Sequence, residues 1–435
     1  MRKYLLAGCL ILLLLLLLFQ AGCGEEIPVI AGDASFQAEG VSIVNEGNYY
    51  NVKIDFTCGL THKQLGEAYA KGILKVVPNY ESLVDSYIGE NLTSYENKYA
   101  MYRVEDIKPQ VNKEYAEEIE GMASVFSGGS QNKFKDNKIS KDEFFLFNLF
   151  TDAVRGTQCS YISVYGDRSD DHRNMVARNL DWYGGSVNQL PKIQAFITYK
   201  YTDKKVYSIG YLGYMGILTG FNDHKVFAGI LDSGTNAPYS SEGRRSYPLD
   251  LRFALENTKT MKEAAEFMQD PTKLYSFNHN IGFSDPDTSI ILENNFSGNG
   301  TNGHKVKRAI RTEDSKLNNS VSWEIKDSIA SVNSFILYGN HDNHSSNKYN
   351  TKRWNNIKKQ LQNKGATVSF EELKEVACYA DGSPGTFSES GDVYNKMTLQ
   401  MVIFQPDTLK LEVFFRPKNI RKNPGNPVFE KITVS

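Results

Sequence analysis

Two arms rich in β-branched, aromatic and aliphatic residues flank a polar turn between residues 156 and 182. The first arm runs Gly156-Thr157-Gln158-Cys159-Ser160-Tyr161-Ile162-Ser163-Val164-Tyr165, and the second Asn174-Met175-Val176-Ala177-Arg178-Asn179-Leu180-Asp181-Trp182. Between them, Gly166 to Arg173 is polar and opens with a glycine, so the stretch reads as strand, loop and strand. Folded symmetrically about Asp170, the hairpin sets residues 159 and 181 opposite each other, with Arg178 one pleat away. A thiol, a guanidinium and a carboxylate are then expected to converge at one sheet end.

The grouping has a chemical purpose if Cys159 begins a chain. A free α-amine titrates near ~8 and a free thiol near ~8.5, so the amine of Cys159 can take the thiol's proton near neutrality. The nucleophile then carries its own general base. Arg178 favours the thiolate in this arrangement, and Asp181 orients the ammonium. The plainer reading is a buried cysteine beside an ion pair, since free Cys is among the most buried residue types.

Cys159-Ser160 followed by Arg178-Asn179-Leu180-Asp181 resembles the N-terminal-nucleophile hydrolases of the choloylglycine hydrolase, acid ceramidase and penicillin acyltransferase superfamily. There the Cys starts the mature catalytic chain, and an R-N-x-D pattern follows on the returning strand. The resemblance covers most of the chain from about residue 59 and includes a pro-segment-like helix at Glu117 to Ala123. It implies an α+β fold, a four-layer αββα sandwich of two antiparallel sheets, preceded by a mostly helical segment. It also implies self-cleavage between Gln158 and Cys159.

Further site residues are carried over from the same resemblance. The glycine-rich Leu218-Thr219-Gly220-Phe221-Asn222 stretch is similar to the family's G-x-N turn and makes Asn222 substrate-adjacent. The strand after it implies an oxyanion-binding backbone N–H near Leu231 or Asp232. Ser331-Val332-Asn333-Ser334-Phe335 is similar to the "TNHF" segment, with Ser334 in place of His, so Asn333 is the implied oxyanion donor. One such donor is worth ~3–4 kcal/mol in a transition state. Arg353, in Lys352-Arg353-Trp354, stands where the family has an Arg opening a helix beside the site.

The N-terminus gives an address. Arg2 and Lys3 precede a Leu-dominated run ending in Gln20-Ala21-Gly22-Cys23, a secretory signal whose Ala-Gly-Cys resembles a bacterial lipobox. Residues 1–22 are read as the signal and Cys23 as the lipidated residue, giving an extracytoplasmic protein anchored at the bacterial cell membrane; an uncleaved anchor and a soluble secreted form are the alternatives. The expected divisions are a tether and first strand at 23–58, a helical pro-segment at 59–158 and the catalytic part at 159–435.

With 435 residues and 12% aromatics the chain can bury a large core. A formal charge of −2, without a basic block, gives no reason to expect nucleic acid. Capping-box spacings at Thr61/Gln64, Ser140/Glu143 and Thr260/Glu263 mark helix starts, and alternating runs at 50–57, 193–199, 205–209, 280–293 and 397–415 mark strands and hairpins. His341, Asp342 and His344 lie in a polar loop without helical scaffolding or a further obvious ligand, so no metal or other cofactor is expected. Of the five cysteines two lie in the leader, leaving Cys58 and Cys378 free to pair. The expected activity is cleavage of a linear, non-peptide amide of a small N-acyl substrate through a Cys159 thioester. Acyl transfer to an amine, and a degenerate site that only binds, are the alternatives. A homo-oligomer is left open.

Overall fold

The structure, a computed structural model, describes residues 29–92, 99–154, 157–235, 240–296, 307–382, 391–419 and 425–434. The leader, Cys23 and most of the Asn/Gly-rich loop at 294–304 lie outside them. Among the described residues no helix is long and apolar enough to cross a membrane.

Three strands open the chain: β1 (Ser35–Ala38), β2 (Val41–Asn45) and β3 (Tyr50–Asp55). Six helices follow: α1 (His62–Val76), α2 (Tyr80–Asn91), α3 (Ala100–Ile107), α4 (Lys113–Ala123), α5 (Lys141–Asn148) and the short α6 (Phe150–Ala153). The central hairpin is β4 (Thr157–Val164) and β5 (Met175–Trp182). Then come β6 (Gln194–Lys200), β7 (Lys205–Tyr211), β8 (Thr219–Asn222) and β9 (Phe227–Asp232). Helices α7 (Tyr247–Asn257) and α8 (Met261–Gln269) lead to β10 (His279–Ser284), β11 (Ser289–Asn295), β12 (Lys307–Arg311) and β13 (Ser328–Ser331). The chain closes with α9 (Lys348–Gln362), α10 (Phe370–Ala377), β14 (Thr398–Gln405), β15 (Lys410–Phe415) and β16 (Phe429–Ile432).

These elements make two sheets: a ten-stranded one in the order β1-β2-β3-β6-β7-β8-β9-β10-β11-β12, and a six-stranded one, β13-β4-β5-β14-β15-β16. Helices α1, α7 and α8 pack on the larger sheet, α10 packs on the smaller, and β4 meets β9 where the sheets face each other. The order of layers is therefore αββα. The expectation of two antiparallel sheets needs one correction, because β3 and β6 pair in parallel. Between them the described residues build six α-helices and the β4–β5 hairpin, the long crossover that a parallel pair requires. The expected tether is corrected too: residues 35–45 form β1 and β2, so the segment before α1 is built into the larger sheet.

Local signals and packing agree over most of the chain. Thr61/Gln64, Ser140/Glu143 and Thr260/Glu263 all form capping boxes, each cap worth ~1 kcal/mol. On α1 the residues Leu65, Tyr69, Ile73 and Val76 are buried at helical spacing. Aromatic rings bridge the sheets: Phe404 of β14 stacks on Phe221 of β8 at 4.4 Å and on Phe227 of β9 at 5.5 Å. The helical segment is bolted on by charge. Arg252 of α7, fully buried, donates to Glu118 of α4 at 2.5 Å and to Glu256 at 2.7 Å.

Candidate active site

The hairpin register sets the site. Gln158 pairs with Asp181, Cys159 with Leu180, and Tyr161 with Arg178. This corrects the expected 159–181 pairing: Val164 faces Met175, so the centre falls between Ser169 and Asp170. Because side chains alternate along a strand, Cys159, Tyr161, Arg178 and Leu180 point between the sheets. Asp181 points to the opposite face, toward α9. The thiol and the carboxylate therefore flank the strand from its two sides.

Room for Arg178 comes from glycine. Gly229 of β9 and Gly282 of β10 are cross-strand partners; a Cβ on Gly229 would lie 2.9 Å from Arg178 Cγ, and one on Gly282 2.4 Å from the Tyr161 ring. Through this window Arg178 Nη2 donates to the Ile230 carbonyl at 2.7 Å and toward the Cys159 sulfur at 3.4 Å. Its Nε and Nη1 are buried without a hydrogen-bond partner among the described residues. Burial pushes the Cys159 thiol up, while Arg178 and the backbone N–H of Asp181 pull it down. The net direction is upward, so in the intact chain Arg178 softens the penalty rather than producing a thiolate.

On the α9 side the partners are dense. The backbone N–H of Cys159 donates to Asn333 Oδ1 at 2.6 Å, and Asn333 Nδ2 donates to the Asp232 carbonyl at 2.7 Å. Arg353 donates to the Cys159 carbonyl at 3.0 Å, to Asn333 Oδ1 at 2.8 Å and to Asn350 Oδ1 at 2.7 Å. It also lies 3.5 Å from Asp181. Asp181 accepts from Thr398 Oγ1 at 2.6 Å and Asn395 Nδ2 at 3.1 Å. Burial raises the Asp181 carboxyl against these donors, and burial lowers the Arg353 guanidinium.

Cys159, Gln158, Arg178, Asp181, Asn333, Arg353 and the ends of Leu231 and Asp232 are thus brought together. Leu231 is a fully buried neighbour of Asn280, and Asp232 contributes its carbonyl. Asn222 is not with them. It lies at the far end of β8, where it donates to the carbonyls of Leu255 and Thr258 and accepts from the Val226 N–H. Its amide closes a turn and caps the end of α7, the ordinary work of an Asn at a strand end. Arg353 sits in the second turn of α9 rather than at its start.

Four partners escaped the sequence reading: Asn280, Asn350, Asn395 and Thr398. Asn350 had a signal, since it precedes Arg353 by three residues and so shares its helix face. The others come together only on folding. Cys58 and Cys378 are free thiols, and no group of three or more potential metal ligands occurs among the described residues. His344 packs edge-on against Trp354, and its backbone N–H donates to Asp342.

Beside Leu180, the cross-strand neighbour of Cys159, lies an almost wholly apolar cavity of about 30 Å³. Tyr87, Phe147 and Phe150 of the helical segment line it with Leu180, Trp182 and Tyr211 of the sheets. Trp182 Nε1 donates to the Tyr87 hydroxyl at 2.6 Å. Both Cys159 and Arg178 act electrostatically on the Tyr211 phenol, which burial raises.

No family model and no curated protein matches the chain. Among solved structures the chain is similar to a Caenorhabditis elegans N-acylethanolamine-hydrolyzing acid amidase ortholog, at 15% identity over 57% of this chain and 93% of that one, TM-score 0.42. It is similar to a mutant of conjugated bile acid hydrolase from Clostridium perfringens, at 14% identity over 64% and 97%, TM-score 0.36. It is also similar to penicillin V acylase from Agrobacterium tumefaciens, at 12% identity over 59% and 83%, TM-score 0.34. These likenesses assign no role to any residue here.

Proposed function

We propose that this chain is a cysteine amidase of the N-terminal-nucleophile type, which frees its own catalytic amine by cutting between Gln158 and Cys159. One observation carries the reading: the nitrogen and the sulfur of the same residue are each engaged by a separate buried polar side chain. Asn333 Oδ1 takes the N–H at 2.6 Å, and Arg178 Nη2 approaches the sulfur at 3.4 Å. A cysteine that merely fills a core needs neither partner.

The chemistry follows from the placement. The thiol attacks the Gln158 carbonyl, an N-to-S shift gives a thioester, and water opens it, leaving Cys159 with a free amine. That amine then accepts the thiol proton as Cys159 attacks the carbonyl of an N-acyl amide, and returns it to the departing amine. The acyl group stays on sulfur as a thioester until water releases the acid. Asn333 Oδ1, held by Arg353, orients the amine. Its Nδ2, which now meets the Asp232 carbonyl, has a second proton for the tetrahedral oxygen. The apolar cavity beside Leu180 suits an apolar acyl group, and its small volume requires Tyr87, Phe147 or Phe150 to move for a chain to enter. Lipidation at Cys23 anchors the enzyme outside the cytoplasm in this proposal. Incubating purified protein with N-acyl amino acids, conjugated bile salts and penicillin V tests the activity. Turnover that survives Cys159→Ala would overturn it.

A further inference from the structure

Asn333 stands in an irregular stretch after β13, outside both sheets and four residues before the isolated Leu317–Leu337 bridge. Such a segment must satisfy its N–H and C=O groups otherwise. Here two of its N–H groups converge on one acidic side chain. Glu293 of β11, fully buried, accepts the N–H groups of Ile336 and Leu337 at 3.0 Å each, and the Asn340 amide at 2.8 Å. Arg311 of β12 lies 3.3 Å from the same carboxylate and donates to the Ala330 carbonyl at 2.7 Å. The pair therefore grips the stretch on both sides of Asn333, three residues before it and three to seven after.

We propose that Glu293, with Arg311 as its counter-ion, is a positioning residue that sets where Asn333 stands; this rests on the reading of Cys159 and Asn333 given above. The sheet register supports it. Asn280 is the cross-strand partner of Glu293 on one side and of Leu231 on the other, so the two side chains share a face. Asn280 Nδ2 reaches the carbonyls of Val332 at 3.2 Å and Ser334 at 2.8 Å, immediately before and after Asn333. A row of polar side chains across the larger sheet thus holds the loop that presents an amide to a residue of the smaller sheet. A site displaced by ~1 Å loses on the order of 10²-fold in rate, so such a device belongs to catalysis as well as to stability. Replacing the carboxylate by an amide sets an NH₂ against donors already pointing at that position, and leaves Arg311 buried without its counter-charge.

The experiment compares Glu293→Gln with its parent, both with Cys58 and Cys378 replaced by Ser, on protein counted by titration of the Cys159 thiol. Loss of turnover in Cys159→Ala tests the underlying reading separately. The proposal expects kcat to fall by about 10-fold or more with KM within about 2-fold, since Asn333 acts on the reacting groups and not on substrate binding. It also expects the acid limb of the kcat/KM profile to shift, because Asn333 Oδ1 holds the Cys159 nitrogen. Arg311→Lys should recover most of the rate that Arg311→Met loses. Unchanged kcat and pH profile per titrated thiol, with only a lower Tm, would overturn the proposal, as would a change confined to KM. If Glu293→Gln does not fold, Asn340→Ala keeps the ion pair and removes one donor. A kcat loss of about 3-fold or more at constant KM supports the device, and an unchanged kcat rejects it.

Discussion

At the scale of single residues, the site divides the labour around Cys159 between two faces of one strand. Arg178 attends to sulfur from between the sheets; Asn333 attends to the nitrogen and Arg353, beside Asp181, to the carbonyl from the α9 side. Asn333→Ala should therefore lower kcat by ~10²-fold or more with little change in KM, because in the proposed mechanism it removes both the amine's acceptor and the oxyanion donor. A KM effect alone, in steady-state kinetics, would mean that Asn333 only positions substrate. Burial raises the Cys159 thiol and Arg178 opposes that rise, so Arg178→Met should move the alkaline dependence of thiol alkylation to higher pH. An unmoved profile would show that the guanidinium serves the Ile230 carbonyl alone. Much of this residue set was legible because Cys-Ser and R-N-x-D lie on one local hairpin. Asn395 and Thr398 were not, since an Asn or Thr near a strand start usually serves a turn, and only the β5–β14 pairing brings these two to Asp181.

Among the elements, hairpins and capped helices could be read directly because their signals are local. The start of the chain could not: β1 and β2 are four and five residues long, and Val41 and Ile43, buried on one face of β2, make too short an alternation to read as a strand. The parallel pairing of β3 with β6 has no local signal at all, and a half-residue shift of the hairpin centre moved Asp181 to the other face. The β9–β10 pair adds a pH dependence. His279, opposite Asp232 and stacked on Tyr247 at 4.7 Å, is buried, and burial brings its pKa down to about 3. Unfolded, it titrates near ~6.5, so between these values the unfolded chain binds the extra proton and stability falls as pH falls. The slope is about 1.4 kcal/mol per pH unit at its steepest. His279→Gln should flatten the acid slope of Tm in thermal melts; an equal slope would assign the acid loss to other groups.

For the molecule as a whole, the segment before the proposed cut is part of the core rather than a removable cover. It supplies β1–β3 to the larger sheet, Glu118 to the buried Arg252, and Tyr87, Phe147 and Phe150 to the cavity beside Leu180. Removing one partner of a buried ion pair costs about 3–5 kcal/mol, so Glu118→Ala should lower Tm sharply, while the two pieces of wild type should elute together without denaturant. Dissociation of the pieces on native chromatography would contradict that placement. The proposed activity depends on the nitrogen of Cys159 becoming an amine. N-terminal sequencing of the larger fragment from purified, active protein tests this most directly. Self-cleavage at Gln158 gives Cys159-Ser160-Tyr161 at the start, and a single uncut chain for Cys159→Ala. An active wild-type chain that remains uncut, or a fragment beginning at any other residue, would contradict it.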